Sequence, residues 1–104
     1  MKTAFDILVG LKLLRVERIH DYVQFYFDNG GVLNIVNEFT LTGFISGNLS
    51  EAVGSRVLSV RHSETAVELD ICGKMVRIGL SNNDYNGPEA LEYADENGNI
   101  IVWR

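Results

Sequence analysis

Half-cystine pairs, proline, histidine and long apolar runs are almost missing from this 104-residue chain. It has one Cys, one Pro, one Trp, two Met and two His. A lone Cys72 cannot close an internal disulfide, which fits a reducing cytoplasm and leaves the sequon Asn48-Leu49-Ser50 without a glycosylation context. No apolar run approaches the roughly 18–20 residues that span a bilayer. Asp6 interrupts the apolar stretch near the start, so a signal peptide is not expected. With two histidines, one cysteine and no CxxC spacing, zinc and other cofactors are not expected. What is present is an ordinary globular composition, 46% hydrophobic, long enough to build one core in one domain.

Charge is placed unevenly. Residues 1–83 hold 8 Lys/Arg against 9 Asp/Glu, whereas residues 84–104 hold Asp84, Glu89, Glu92, Asp95 and Glu96 against Arg104, for a formal net of −5. A net negative chain repels phosphate backbones, so direct nucleic-acid binding is disfavoured, and the acidic end is either a solvated, solubilising face or an attraction for a basic protein partner.

The strongest internal pattern is a repeat. Shifting residues 9–28 by 44 places Val9-Gly10, Leu14, Val16 and Val23 on Val53-Gly54, Leu58, Val60 and Val67. Duplication and two β-units that share only a hydrophobic pattern both remain open, with units at about 5–38 and 50–81. In each, a short turn or helix ends at a glycine, Gly10 or Gly54, and a three-stranded meander follows. Thr3 and Ser50 are the expected caps. Val23, Phe25 and Phe27 alternate with Tyr22, Gln24 and Tyr26. Val67, Leu69 and Ile71 alternate with Glu68 and Asp70. Asp28-Asn29-Gly30-Gly31 and Cys72-Gly73 are turn signals, because tight hairpins need positive φ.

Phe39, Leu41 and Phe44 suggest that the link between the units packs and contains a further short strand. The last segment reads either as a helix starting at Pro88 or as a hairpin at about 89–104 around Glu96-Asn97-Gly98-Asn99. The hairpin is expected. The fold predicted is mainly β: an antiparallel β-sandwich or flattened barrel of two three-stranded units plus a C-terminal hairpin, with a short N-terminal helix.

A catalytic constellation is not legible. His20 and His62 sit at strand connections with no nucleophile motif beside them. Cys72 lies in a turn without a base, and Asp95-Glu96-Asn97-Gly98-Asn99 lacks the Gly and Glu of a calcium loop. Glu68 and Asp70 share a face without a cleft. The chain is therefore expected not to be an enzyme. Surface recognition remains. Tyr22 and Tyr26 face outward unless another segment covers them, and Tyr85 sits in a polar loop. Tyr is enriched where binding energy concentrates.

Four segments carry a family resemblance: Leu8-Val9-Gly10; Tyr26-Phe27-Asp28-Asn29-Gly30 with Leu33-Asn34-Ile35; Gly87-Pro88-Glu89-Ala90; and Gly98-Asn99-Ile100-Ile101-Val102-Trp103. Together they resemble a group of small bacterial β-proteins with a Gly-Pro-Glu-Ala segment and a closing Val-Trp strand. Some of these look like immunity proteins of polymorphic or contact-dependent growth-inhibition toxins. The resemblance implies a cytoplasmic protein, monomeric in its complex and away from membranes, that blocks the active site of a cognate toxin domain. Such toxins are often nucleases, whose basic cleft an acidic protein can fill. The expected binding edge is Asp84, Tyr85, Glu89, Glu92, Asp95 and Glu96, with Glu68, Asp70, Tyr22 and Tyr26 as a second group. Two other readings stand beside it. One is a non-enzymatic assembly module that self-associates through an open sheet edge. The other is a small enzyme or lipocalin-like ligand binder, which requires a cavity lined by the aromatic residues.

Overall fold

Alternation in the sequence becomes alternation in burial. In a computed structural model that describes residues 4–20, 22–84 and 90–103, Val23, Phe25 and Phe27 are 1–2% exposed, whereas Tyr22, Gln24 and Tyr26 between them are half-buried. The described residues form nine strands: β1 (Leu13–Ile19), β2 (Tyr22–Phe27), β3 (Val32–Ile35), β4 (Phe39–Thr42), β5 (Val57–His62), β6 (Ala66–Ile71), β7 (Lys74–Gly79), β8 (Leu91–Ala94) and β9 (Ile100–Trp103). Pairing is antiparallel throughout, in one sheet ordered β1-β2-β3-β8-β9 and another ordered β4-β7-β6-β5. The inner faces meet in a core that includes Phe25, Leu33, Ile35, Leu69, Ile71, Ile78 and Tyr93. Each large apolar side chain buried there contributes about 1.5–3 kcal/mol.

The two meanders do not simply stack. Each sends its next strand into the other's sheet: β4, following β3, pairs with β7, and β8, following β7, pairs with β3. The exchange covers the inner edge of each meander, which would otherwise expose a row of unpaired backbone groups. The crossing chains are tied together. Val36 and Asn37 N–H both donate to Ala90 O, Glu38 N–H donates to Asp84 O, and Gly79 N–H donates to Glu38 O. Asn37, 2% exposed, donates its side-chain amide to Gly79 O at 2.7 Å.

The 44-residue offset reappears in the hydrogen bonds. Gly10 N–H donates to Val57 O, and Gly54 N–H to Leu13 O, both at 2.7 Å. Leu13 N–H donates to Ser55 O and Val57 N–H to Leu11 O, both at 2.9 Å. Lys12 bridges its own equivalent, Arg56. A bulge falls between Leu13 and Arg15 and again between Val57 and Ser59, leaving Leu14 and Leu58 exposed. Gly10 and Gly54 take φ of +89° and +92°, the left-handed stop that lets each helical turn fold back onto the opposite unit. The 3-10 turn Ala4–Leu8 accordingly packs on β5, and the turn Leu49–Ala52 on β1. An approximate two-fold axis thus passes beside Lys12 and Arg56.

Two local readings change. The turn at Leu49–Ala52 is capped by Asn48, whose side chain accepts from Ser50 N–H at 3.0 Å, rather than by Ser50. The N-terminal segment is a single 3-10 turn, and the expected cap Thr3 lies outside the described residues. His20 and Cys72 take positive φ, 43° and 51°, because each begins a two-residue connection between paired strands.

Candidate functional site

The outer face of the five-stranded sheet gathers side chains from four strands into one row. The register sets Glu17 opposite Gln24, Gln24 opposite Asn34, and Asn34 opposite Glu92. A second row sets Arg15 opposite Tyr26 and Tyr26 opposite Val32. Directly opposed side chains on one face stand close enough to bond, and Gln24 and Asn34 do, with Tyr26 and Glu17 joining from neighbouring positions. Gln24 donates to Asn34 Oδ1 at 3.0 Å, and the Tyr26 hydroxyl donates to Gln24 Oε1 at 2.8 Å, with Glu17 Oε2 a long 3.5 Å away. Arg15 pairs with Glu17 at 3.3 Å and lies 4.0 Å from the Tyr26 ring centroid, a cation–π arrangement. These side chains are exposed or half-buried and already held in place. Neither 3-10 turn that feeds the core lies across them, since one packs on β5 and the other supplies buried Leu49 and Ala52.

The ten residues expected at a binding surface are dispersed. Tyr22, Tyr26 and Glu92 share this outer face. Glu68 and Asp70 share the outer face of the other sheet. There Glu68 lies between Arg61 at 3.4 Å and Arg77 at 3.9 Å, and Asp70 accepts from Gly73 N–H at 2.9 Å. The expected second group is therefore split between opposite sides of the sandwich. Asp84 is a turn residue: it accepts from Ser81 N–H at 3.0 Å and presses on Gly79 so closely that a Cβ there would come within 2.2 Å. Asp95 holds the β8–β9 turn, accepting from Asn97 and Asn99 N–H and from the Asn99 side chain. The Asn99 side-chain bond, followed by its backbone N–H, holds the Asp95 carboxyl below the usual range. Glu96 is exposed at the tip of that turn, beside Gly30. Tyr85 and Glu89 lie outside the described residues. Glu17, Arg15 and Asn34 belong to the face but were not singled out. Their signal is the β1–β2–β3 register, which no single strand carries.

The most strongly shifted carboxyl lies elsewhere. Glu51 accepts from the Ser46 hydroxyl, from Ile45 N–H at 2.8 Å and from Ser46 N–H at 2.7 Å. The hydroxyl bond first, then the two amides, hold its pKa at about 2, down from 4.5. A depressed carboxyl contributes order above its unfolded pKa and loses it as pH falls toward the folded value. The Ile45 and Ser46 amide shifts should therefore hold steady through pH 4.5 and titrate with a midpoint at about 2. A midpoint at 4.5 would refute the three-bond anchor.

Among the described residues no cluster of three or more His, Cys, Asp or Glu could hold a metal ion, and no helix is long and apolar enough to cross a membrane. Cys72 is exposed in its turn. Comparison with protein-family models, with curated proteins and with solved structures finds no match.

Proposed function

We propose that this chain is an immunity-type protein that binds a cognate toxin domain and occludes its active site with the outer face of the five-stranded sheet. The observation that carries the reading is the row Glu17–Gln24–Asn34–Glu92, in which Gln24 is bonded both to Asn34 and to Tyr26 beside it. Side chains fixed before binding lose little freedom on binding, which raises affinity for a given contact area. Tyr rings supply the buried area typical of hot spots, and Glu17 and Glu92 supply charge suited to a basic cleft. The net charge of −5 favours fast encounter with such a partner.

The test is capture at low salt from the native organism, followed by expression of each recovered domain alone and together with this chain. A domain that is toxic alone and harmless in company supports the proposal. Glu92→Arg should then lower its association rate about tenfold at low ionic strength, with the gap closing as salt rises. Recovery of this chain alone, at a defined oligomeric size, would replace the proposal with the self-associating module.

A further inference from the structure

The four sheet edges are not equivalent. The first part of β1 is paired on its outer side by residues 54–57, through the bonds that flank the Lys12–Arg56 bridge. Beyond Leu13, no described strand pairs with that side of β1. Along this open stretch run two cavities of about 460 and 410 Å³, and Arg18 lines both. One wall is β1 with the start of β2, through Val16, Arg18, His20, Tyr22 and Val23. The facing wall is the crossover at Asn37–Phe39 and, farther along, the loop Gly47–Ser50 that Glu51 anchors through Ile45 and Ser46.

Arg18 belongs to the inward set of β1, opposite buried Val23, yet its side chain is exposed at the mouth between the sheets. Its guanidinium sits 5.9 Å from the Phe39 ring centroid. Arg18 takes part in none of the ion pairs among the described residues, and Glu38, which is itself partnered, lines the same cavity. In the same wall, Asn37 spends its amide N–H on Gly79 O, while its side-chain carbonyl is buried without a hydrogen-bond partner among the described residues. An edge strand offers alternating backbone donors and acceptors to an added strand.

We propose that this groove binds an extended peptide segment by strand addition to β1, with an acidic side chain of the peptide on Arg18. Main-chain bonds to β1 supply affinity and the carboxylate–guanidinium pair sets register and specificity. The proposal does not depend on the toxin reading, because its occupant is defined by backbone shape and one negative charge, although Tyr22 at the end of the outer face also lines the larger cavity.

The test is an amide-shift titration of the isotope-labelled full chain with acetyl-Thr-Val-Asp-Val-Thr-amide at fixed ionic strength. Saturable shifts confined to Val16–His20, Asn37–Phe39 and Gly47–Ser50 are expected. The Asn analogue of the peptide, and the Arg18→Gln variant, should each bind about tenfold more weakly, while Arg61→Gln on the other sheet binds as the parent does. Absence of saturable shifts at millimolar peptide, shifts on another surface, or equal binding of the Asn analogue would each overturn the proposal. Acetate producing the same shifts at the same concentration would also overturn it, since the site would then read a lone anion.

Discussion

Gly31→Ala should cost about 3–4 kcal/mol of folding stability, a large part of the 5–15 kcal/mol typical of a domain this size. Gly31 closes the β2–β3 turn, where Phe27 N–H donates to its carbonyl at 2.9 Å and its own N–H donates to Asn29 Oδ1 at 2.9 Å. The Tyr93 ring, 1% exposed, lies directly over it, and its hydroxyl accepts from the Asn29 side chain at 2.8 Å. A Cβ on Gly31 would stand 2.1 Å from that hydroxyl oxygen and 2.5 Å from the ring carbon bearing it. No rotamer of a ring packed in the core absorbs such an overlap, so β8 must shift against β3. Gly47→Ala provides the comparison. Its φ is +72° and nothing lies within 4 Å of an added Cβ, so it should cost only about 1–2 kcal/mol of backbone strain. Tyr93→Phe removes the nearest atom, so in a denaturation double-mutant cycle it should recover part of the Gly31→Ala loss. Strict additivity, or a Gly31→Ala cost below 1 kcal/mol, would show that the ring does not press on the turn.

That contact also marks the boundary of what a single sequence reveals. Asp28-Asn29-Gly30-Gly31 announces a hairpin, and Gly30 at φ +84° supplies the positive angle it needs. The requirement at Gly31 comes instead from Tyr93, 62 residues on, brought near because β8 joins β3. The same strand exchange was not legible. Phe39 and Leu41 alternate with Thr40 and Thr42 whichever sheet β4 enters, and burial period carries no information about the partner strand. The meanders were legible because Val23/Phe25/Phe27 and Val67/Leu69/Ile71 are local patterns joined by strong turns. Charge misled for a related reason. Asp84 and Asp95 count as free acid in composition, but both satisfy backbone N–H groups in their own turns, a habit of Asp that the neighbouring Asn and Gly residues already signal. Glu68 looks free until Arg61 and Arg77 arrive from the strands on either side.

Tyr26→Ala should weaken binding of the proposed toxin partner about 100-fold while changing stability by less than about 1 kcal/mol. The residue stands at the crossing of the face's interactions. Its hydroxyl donates to Gln24, its ring carries Arg15, and it lies between Arg15 on β1 and Val32 on β3. Removing it withdraws the aromatic contact area and also frees Gln24 and Arg15 to move, so the partner must order side chains that are now held in advance. The folded core is untouched, because Tyr26 points away from Phe25 and Phe27, which carry the buried side of β2. Tyr26→Phe separates the two contributions. It keeps the ring under Arg15 and loses only the bond to Gln24, so it should retain most of the affinity, within about tenfold of the parent. Titration calorimetry against the purified toxin domain, paired with urea denaturation of each variant, reads both quantities. Equal affinity for the parent and Tyr26→Ala would move the contact off this face. A loss of affinity matched by a loss of stability would make Tyr26 a folding residue rather than a binding one.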